Sequence, residues 1–391
     1  QDGTRLASLG VHEHWNNPAS RQYSRNLGTG DGIELVTQDE LWTSADGPIR
    51  NLTRERRYDY IQYAINDARD GDEIVVPQSV YPENINLKGK NLTIRSAEPD
   101  DPAAVAATII SGGGGGSIVT LQGGEDANCV LAGLTITDGA VGIYCSGASP
   151  TISNCVITGN TGMGIRLWNV SRPAITDSLI VANGGGIELS QGRGTTSSVT
   201  ITNCTIAGNS GTGVYSGVQT ITNSIIYYND PAGIVGTTVT VTFSDVQGGW
   251  PGEGNIDADP CFADPCNGDY HLKSEAGRWE PGGERWVLDA VTSLCIDGGN
   301  PASDWTAELW PHGKRINMGK YGGTPEASMS LSDAGSAADL NIDDVVDFRD
   351  FDGFSGSWRK EELFLREDID RNGRVDAFDL AAFAEEWLWR E

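Results

Sequence analysis

The sequence predicts an all-β fold, a right-handed parallel β-helix (solenoid) with an N-terminal capping helix, followed by a small α-helical module. Three observations predict it. Short apolar triplets recur at near-constant spacing, Gly and Asn punctuate them, and two acidic twelve-residue segments lie near the C-terminus.

The repeat is clearest from residue 127 onward. Gly133-Leu-Thr-Ile-Thr137, Asn154-Cys-Val-Ile-Thr158, Asp177-Ser-Leu-Ile-Val181, Asn203-Cys-Thr-Ile-Ala207 and Asn223-Ser-Ile-Ile-Tyr227 align, with starts 21, 23, 26 and 20 residues apart. A second strand follows in each unit, beginning at Gly142, Gly164, Gly186, Gly213 and Gly233. A third precedes the next unit, as in Pro150-Thr-Ile-Ser and Gln219-Thr-Ile-Thr. Three short strands per unit describe one coil, too small to bury its own apolar face. Stacking coils buries Ile, Leu and Val in a shared core. Coils about 4.8 Å apart bring like residues into ladders, here Asn154, Asp177, Asn203 and Asn223, and Asn160, Asn183, Asn209 and Asn229.

Upstream, residues 1–50 are polar and irregular and read as an arm or linker. Tyr58 to Arg69 reads as a short amphipathic helix with Ile61, Ala64, Ile65 and Ala68 on one face, placed to cover the first coil. Strands follow at Glu73–Pro77, Lys90–Ile94 and Thr108–Ile110. Residues 245–330, rich in Trp, Gly and Pro, read as an irregular cap for the other end. The domains are therefore 1–50, a β-helix with its caps over 51–330, and the small α-helical module over 331–391.

Hydrophobic residues make up 38% of the 391, which excludes a disordered chain. The 51 glycines follow no collagen period. A net charge of −27 repels the phosphate backbone and excludes nucleic acid as the expected partner. No apolar run is long enough for a membrane span. Seven cysteines, an odd number, leave at least one without an intrachain partner. Cys155 and Cys204 fall two coils apart, whereas Cys261, Cys266 and Cys295 share a loop-rich stretch that suits a disulfide. The first residue, Gln1, reads as the start of a mature or trimmed product.

The two acidic segments match a calcium loop. In the second, Asp368, Asp370, Asn372, Asp376 and Asp379 fill positions 1, 3, 5, 9 and 12, with Gly373 at position 6 and the Arg374 carbonyl at position 7. In the first, Asp339, Asn341, Asp343, Asp347 and Asp350 fill the same positions, with Asp344 in place of the glycine and Val345 supplying the carbonyl. Calcium takes six to eight oxygens, and alternating side chains wrap it as the chain turns. Two Ca²⁺ sites are therefore expected, their loops starting 29 residues apart and each followed by an apolar, helix-compatible run.

Two resemblances add to this. Tyr60–Ile65, Gly71–Pro77 and Tyr81–Ile85 look like the opening of pectin-lyase-like β-helix proteins. Asp259–Asp264, Gly268–Leu272, Cys295–Asn300 and Asn317–Gly322 resemble the closing segment of secreted β-helix repeat proteins of planctomycete-type bacteria. That likeness implies a secreted or cell-surface bacterial protein. Residues 337–390 resemble a dockerin, an EF-hand-like module, with Asp rather than Glu at position 12 of both loops. This implies a cohesin-like or self-association partner. Positions 10 and 11, which carry small hydroxyl residues in many dockerins, are Phe348 and Arg349 here, and Ala377 and Phe378.

Catalytic chemistry has one candidate place. Tyr144, Arg166, Glu188, Tyr215 and Val235 form the outward column of the second strand, beside Trp168. Tyr144, Trp168 and Tyr215 would stack on sugar rings. Arg166 would act as the base that β-helix lyases use, with Glu188 as its partner. The same pair also reads as an exposed cross-coil salt bridge, the reading preferred. His12 and His14 suit one face of a strand but lack a third ligand. The Trp-rich stretch reads as capping, and Asp257, Asp259, Asp264 and Asp269 read as turn formers. Binding or assembly, including as a filament or surface-layer component or a homopolymer, is thus expected ahead of catalysis. A polysaccharide lyase or glycoside hydrolase, or a passive carbohydrate-binding protein, are the alternatives.

Overall fold

The computed structural model describes residues 43–190, 196–236, 238–332 and 334–390, with the backbone of Val11–His12, Gln22–Asn26 and Ile33–Val36. The described residues build three long sheets of eight, seven and ten strands. Within the coils all pairings are parallel and join equivalent strands of successive units, so the chain is a parallel β-helix.

The core is a set of in-register columns. On the ten-stranded face Ile94, Leu131, Ile152, Ile175, Ile201, Ile221 and Val241 stack in order. On the eight-stranded face the column is Ile110, Ile136, Ile157, Ile180, Ile206, Ile226 and Val246. All are essentially fully buried and belong to one cluster. Burying each side chain contributes roughly 1.5–3 kcal/mol, so the stack, not any single coil, carries the stability.

The corners explain the punctuation. Leaving the ten-stranded face, the chain turns through Gly133, Asn154, Asp177, Asn203 and Asn223, all at positive φ between 49° and 65°. Asn and Asp tolerate this conformation better than other side-chain-bearing residues. At the next corner Asn160, Asn183, Asn209 and Asn229 turn inward, and the Nδ2 of each of the first three donates to the next Oδ1 at 2.8–3.1 Å. The glycine opening the following strand is a steric requirement. A Cβ on Gly164 would lie 3.0 Å from Asn183 Nδ2, and one on Gly186 would lie 2.1 Å from the Gly213 carbonyl.

Several boundaries differ from the sequence reading. Helix α1 spans Ile61–Asp67, and Tyr58 belongs instead to the strand Arg56–Tyr58. That strand and Ile49–Asn51 form an antiparallel hairpin extending the ten-stranded sheet at the first coil. The Tyr58 hydroxyl donates to Asp67 at 2.6 Å, tying hairpin to helix, and Arg56 reaches the same carboxylate. Glu83 accepts from the Ile61 and Gln62 amides, which replaces a local N-cap. Residues 1–50 are not uniformly irregular. Val11–His12, Gln22–Asn26 and Ile33–Val36 form an antiparallel three-stranded sheet. His14 and the side chain of His12 fall outside what the structure describes.

The 245–330 region also holds more order than expected. Phe262–Asp264 pairs with Asp269–Leu272, and Arg278–Glu280 pairs with Arg285–Val287. Phe262, Tyr270, Leu272, Cys295 and Met318 join Leu179, Ala207 and Ile225 in a second apolar cluster on the outside of the eight-stranded face. All seven cysteines are free, so no disulfide joins Cys261, Cys266 and Cys295. Cys295 is buried and its thiol donates to Asp245 at 3.3 Å. Two further helices, α2 over Pro102–Ala107 and α3 over Phe348–Gly356, precede α4 over Ala377–Glu385. No helix among the described residues is long and apolar enough to cross a membrane.

Candidate functional site

The C-terminal module repeats itself. Helices α3 and α4 open with Asp347 and Asp376, each capping its helix and each paired in a capping box with Asp350 or Asp379. Positive φ recurs at matching loop positions, Ile342 with Arg371 and Asp344 with Gly373. Asp344 thus adopts the conformation for which the second loop uses glycine. Val346 exchanges backbone bonds with Leu388 and Trp389, after the second helix. Val375 does the same with Arg359 and Lys360, after the first. Phe354 and Phe383, 5.4 Å apart, form the centre of a small core with Ala338, Val346 and Val375.

The loop carboxylates are held by backbone amides. Asp350 accepts from Leu340, Asn341 and Asp347, and Asp379 from Asp370 and Asp376; both are fully buried. Asp339 accepts from Asp343 and Asp344, and Asp368 from Asn372 and Gly373. Burial raises the Asp339 and Asp368 carboxyls above their ordinary value, against the lowering effect of those amides. A desolvated carboxylate of this kind gains from an adjacent cation.

The loops are not equal in their donors. In the second, oxygens of Asp368, Asp370 and Asp379 all lie within 4.8 Å of one another, the one such acidic group among the described residues. Asn372 sits beside them, its amide 2.9 Å from Asp370, and Asp376 caps α4 through the Phe378 amide. In the first, Arg349 pairs with Asp343 at 3.1 Å, Asp347 caps α3 through the Arg349 amide, and Lys314 pairs with Asp344 at 2.5 Å. The Asp339, Asn341 and Asp343 positions therefore form a looser set. Val345 and Arg374 stand at the carbonyl positions, and the Arg374 side chain points away to Glu361 at 2.5 Å.

Phe348 and Phe378 are 76% and 73% exposed, unusual for phenylalanines and not foreseen as surface. They occupy loop positions 10 and 11, and nearby Leu388 is also exposed. Each leaves an apolar side chain open on the module's surface.

On the β-helix, Tyr144, Arg166, Glu188 and Tyr215 are consecutive partners in register, and Trp168 lies beside Ser146. Arg166 Nε meets Glu188 Oε2 at 2.6 Å, so the guanidinium already has a carboxylate partner. Trp168 and Tyr215 are exposed, at 39% and 47%. No acidic trio adjoins them among the described residues.

One network escaped the sequence reading. His271, almost wholly buried, lies 2.7 Å from Asp269 and 3.2 Å from Glu326, and stacks on Tyr321. Arg278 joins Asp269 to Asp289. Asp269 is therefore a charge partner, not merely a turn former. Likewise Tyr227 reaches Asp257 and Tyr228 reaches Asp259. Only the alternation Asp269-Tyr-His271 hinted that the carboxylate and imidazole share a strand face.

Among known proteins, a family model described as a right-handed β-helix region matches residues 86–247. A solved structure titled "Crystal structure of pectate lyase Pel9A" aligns with 13% identity and a TM-score of 0.32, covering 68% of this chain and 91% of that one. No curated protein matches the chain.

Proposed function

We propose that this chain is an extracellular or cell-surface bacterial scaffold, a β-helix rod with a calcium-dependent docking module that serves binding or assembly. The observation that carries the reading is the repeated loop pair. Two Asp-rich turns share positive-φ positions, capping boxes and reciprocal backbone pairing, and the second draws three carboxylates together. Calcium would be held by Asp368, Asp370, Asn372, Asp376, Asp379 and the Arg374 carbonyl, and in the first loop by Asp339, Asn341, Asp343, Asp347, Asp350 and the Val345 carbonyl. The ion would neutralise clustered charge and fix the loops that orient α3 and α4. The exposed Phe348 and Phe378 then present apolar side chains to a partner, either a cohesin-like domain or a second copy in a homopolymer or filament.

Calorimetric titration with CaCl₂ tests it. Uptake of two ions, reduced in Asp368→Ala, is expected. A flat titration, with the module melting identically in calcium and chelator, rejects the docking role.

A second reading is supported by the exposed Trp168 and Tyr215 beside Arg166. These would stack on a polysaccharide, as a passive binder or as a lyase or hydrolase. Incubation with acidic polysaccharides, read by the ultraviolet absorbance of unsaturated products, tests lyase cleavage. Glycan-array binding without turnover would mark a passive binder.

A further inference from the structure

Both loops of the module touch the β-helix cap through the very residues that shape their turns. In the second loop Arg371, at φ 61°, donates to the Leu365 and Asp368 carbonyls at 2.9 and 2.6 Å. Its other nitrogen donates to the Trp310 carbonyl of the cap at 3.0 Å. In the first loop Asp344, at φ 65°, takes the ammonium of Lys314, four residues after Trp310. A third contact lies between the loops, where the Phe364 ring meets Trp279 at 4.6 Å and Trp286 at 6.5 Å. Trp279 and Trp286 face each other across the hairpin of the cap.

We propose that calcium latches the module onto the end of the rod. The inference rests on the calcium reading above and adds to it an intrachain interface. Without an ion, the carboxylates of each loop repel one another, and the strained positive-φ turns lose what holds them closed. Arg371 is anchored to the Asp368 carbonyl, so opening that loop moves the guanidinium off Trp310. Opening the first loop moves Asp344 off Lys314. Phe364 against Trp279 and Trp286 then remains, with the Gly335 backbone beside Trp310 and His312, and the module comes free of both loop contacts. With the ion in place the module is rigidly seated. Phe348 and Phe378 point to solvent in a fixed direction relative to the rod axis. A partner would therefore meet an oriented rod in calcium and a loosely tethered one without it.

Linkage makes the latch reciprocal. If calcium favours docking, docking must favour calcium by the same factor. The test uses the intact chain and the double variant Lys314→Glu/Phe364→Ser, which spares every proposed ligand. Small-angle scattering is recorded in calcium and in chelator, with calorimetric calcium titration on both proteins and far-ultraviolet dichroism as the folding control.

The wild type is expected to lengthen in chelator. The variant is expected to be long in both conditions and to bind calcium about tenfold more weakly, within the ordinary range of coupling. If the wild type binds calcium, yet its scattering is unchanged by chelator and the variant binds equally tightly, the latch is overturned while the docking module stands. If the wild type takes up no calcium, both readings fall together. Loss of the β signal in the variant shifts the decision to the wild-type scattering, which alone supports or overturns the latch.

Discussion

Arg166 and Glu188 meet at 2.6 Å across one coil step, each in register with the other on neighbouring strands. The side chains are 40% and 21% exposed, so water screens much of the attraction. Arg166→Ala is expected to cost less than about 1 kcal/mol in a urea melt. In the binding reading it leaves the protein's partners unaffected. In the lyase reading it abolishes turnover, so one variant separates the two.

Asn183 has the opposite character. It is 1% exposed, donates to the Ile157 and Val181 carbonyls and to Asn209, and accepts from the Asn160 side chain and amide. Removing it orphans several buried groups at once. Asn183→Ala should cost about 3 kcal/mol or more, read as a lowered urea midpoint, because each unsatisfied buried group costs roughly 1–3 kcal/mol.

His271 gives the cap a pH dependence. Burial alone would lower its pKa, but hydrogen bonds to Asp269 and Glu326 outweigh this and hold it above 6.5. Its contribution is therefore complete below that value and lost as pH rises through the folded pKa. Asp269 is held below its usual 3.8 despite burial, through His271 and Arg278, so its contribution is lost only as pH falls toward the folded value. The thermal midpoint of the wild-type cap, followed by tryptophan fluorescence, should fall as pH rises above 6.5 through the folded pKa. His271→Gln should lower the midpoint in mild acid and flatten that decline.

Glu308 also loses stability as pH rises, but because burial disfavours its charged form. It is 2% exposed, and burial pushes its carboxyl up to about 8 although it accepts from the Asn317 and Gly323 amides. Between 4.5 and about 8 the unfolded chain is ionised while the folded one stays protonated, so stability drops as pH rises through that window. Glu308→Gln keeps an oxygen acceptor for both amides and cannot ionise. Its melting point should exceed the wild type's by a margin that grows up to about pH 8 and then levels off.

The coils were legible because each side chain's job repeats. A buried Ile, a positive-φ Asn and a glycine recur at fixed places, and period alone reveals them. The ends were not legible, because their contacts join residues far apart in sequence. Nothing local in Ile49–Tyr58 announces a hairpin, since its ordering comes from Tyr58 and Arg56 converging on Asp67. The same holds for His271, whose second partner, Glu326, lies 55 residues away. In the module, spacing located the loop residues, but not that Arg349 would draw off Asp343. Nor did it show that Phe348 and Phe378 would face outward. The free thiols also escaped a count of cysteines, since an apolar site such as that of Cys145 or Cys155 stores a reduced sulfur without any partner.

The two amide ladders have opposite donor senses. In the inner one Asn160, Asn183 and Asn209 each donate from Nδ2 to the Oδ1 of the next, C-terminal coil, and also to a carbonyl of the coil before. In the outer one Asn223 donates to Asn203 and Asn203 to Asp177, toward the N-terminal coils. Asp177 dictates this, for a carboxylate accepts where an amide would donate, and so it terminates its row. Two rows of side-chain hydrogen bonds thus run along the axis at successive corners with opposite donor directions. The donor polarity of the outer row is set by a single carboxylate.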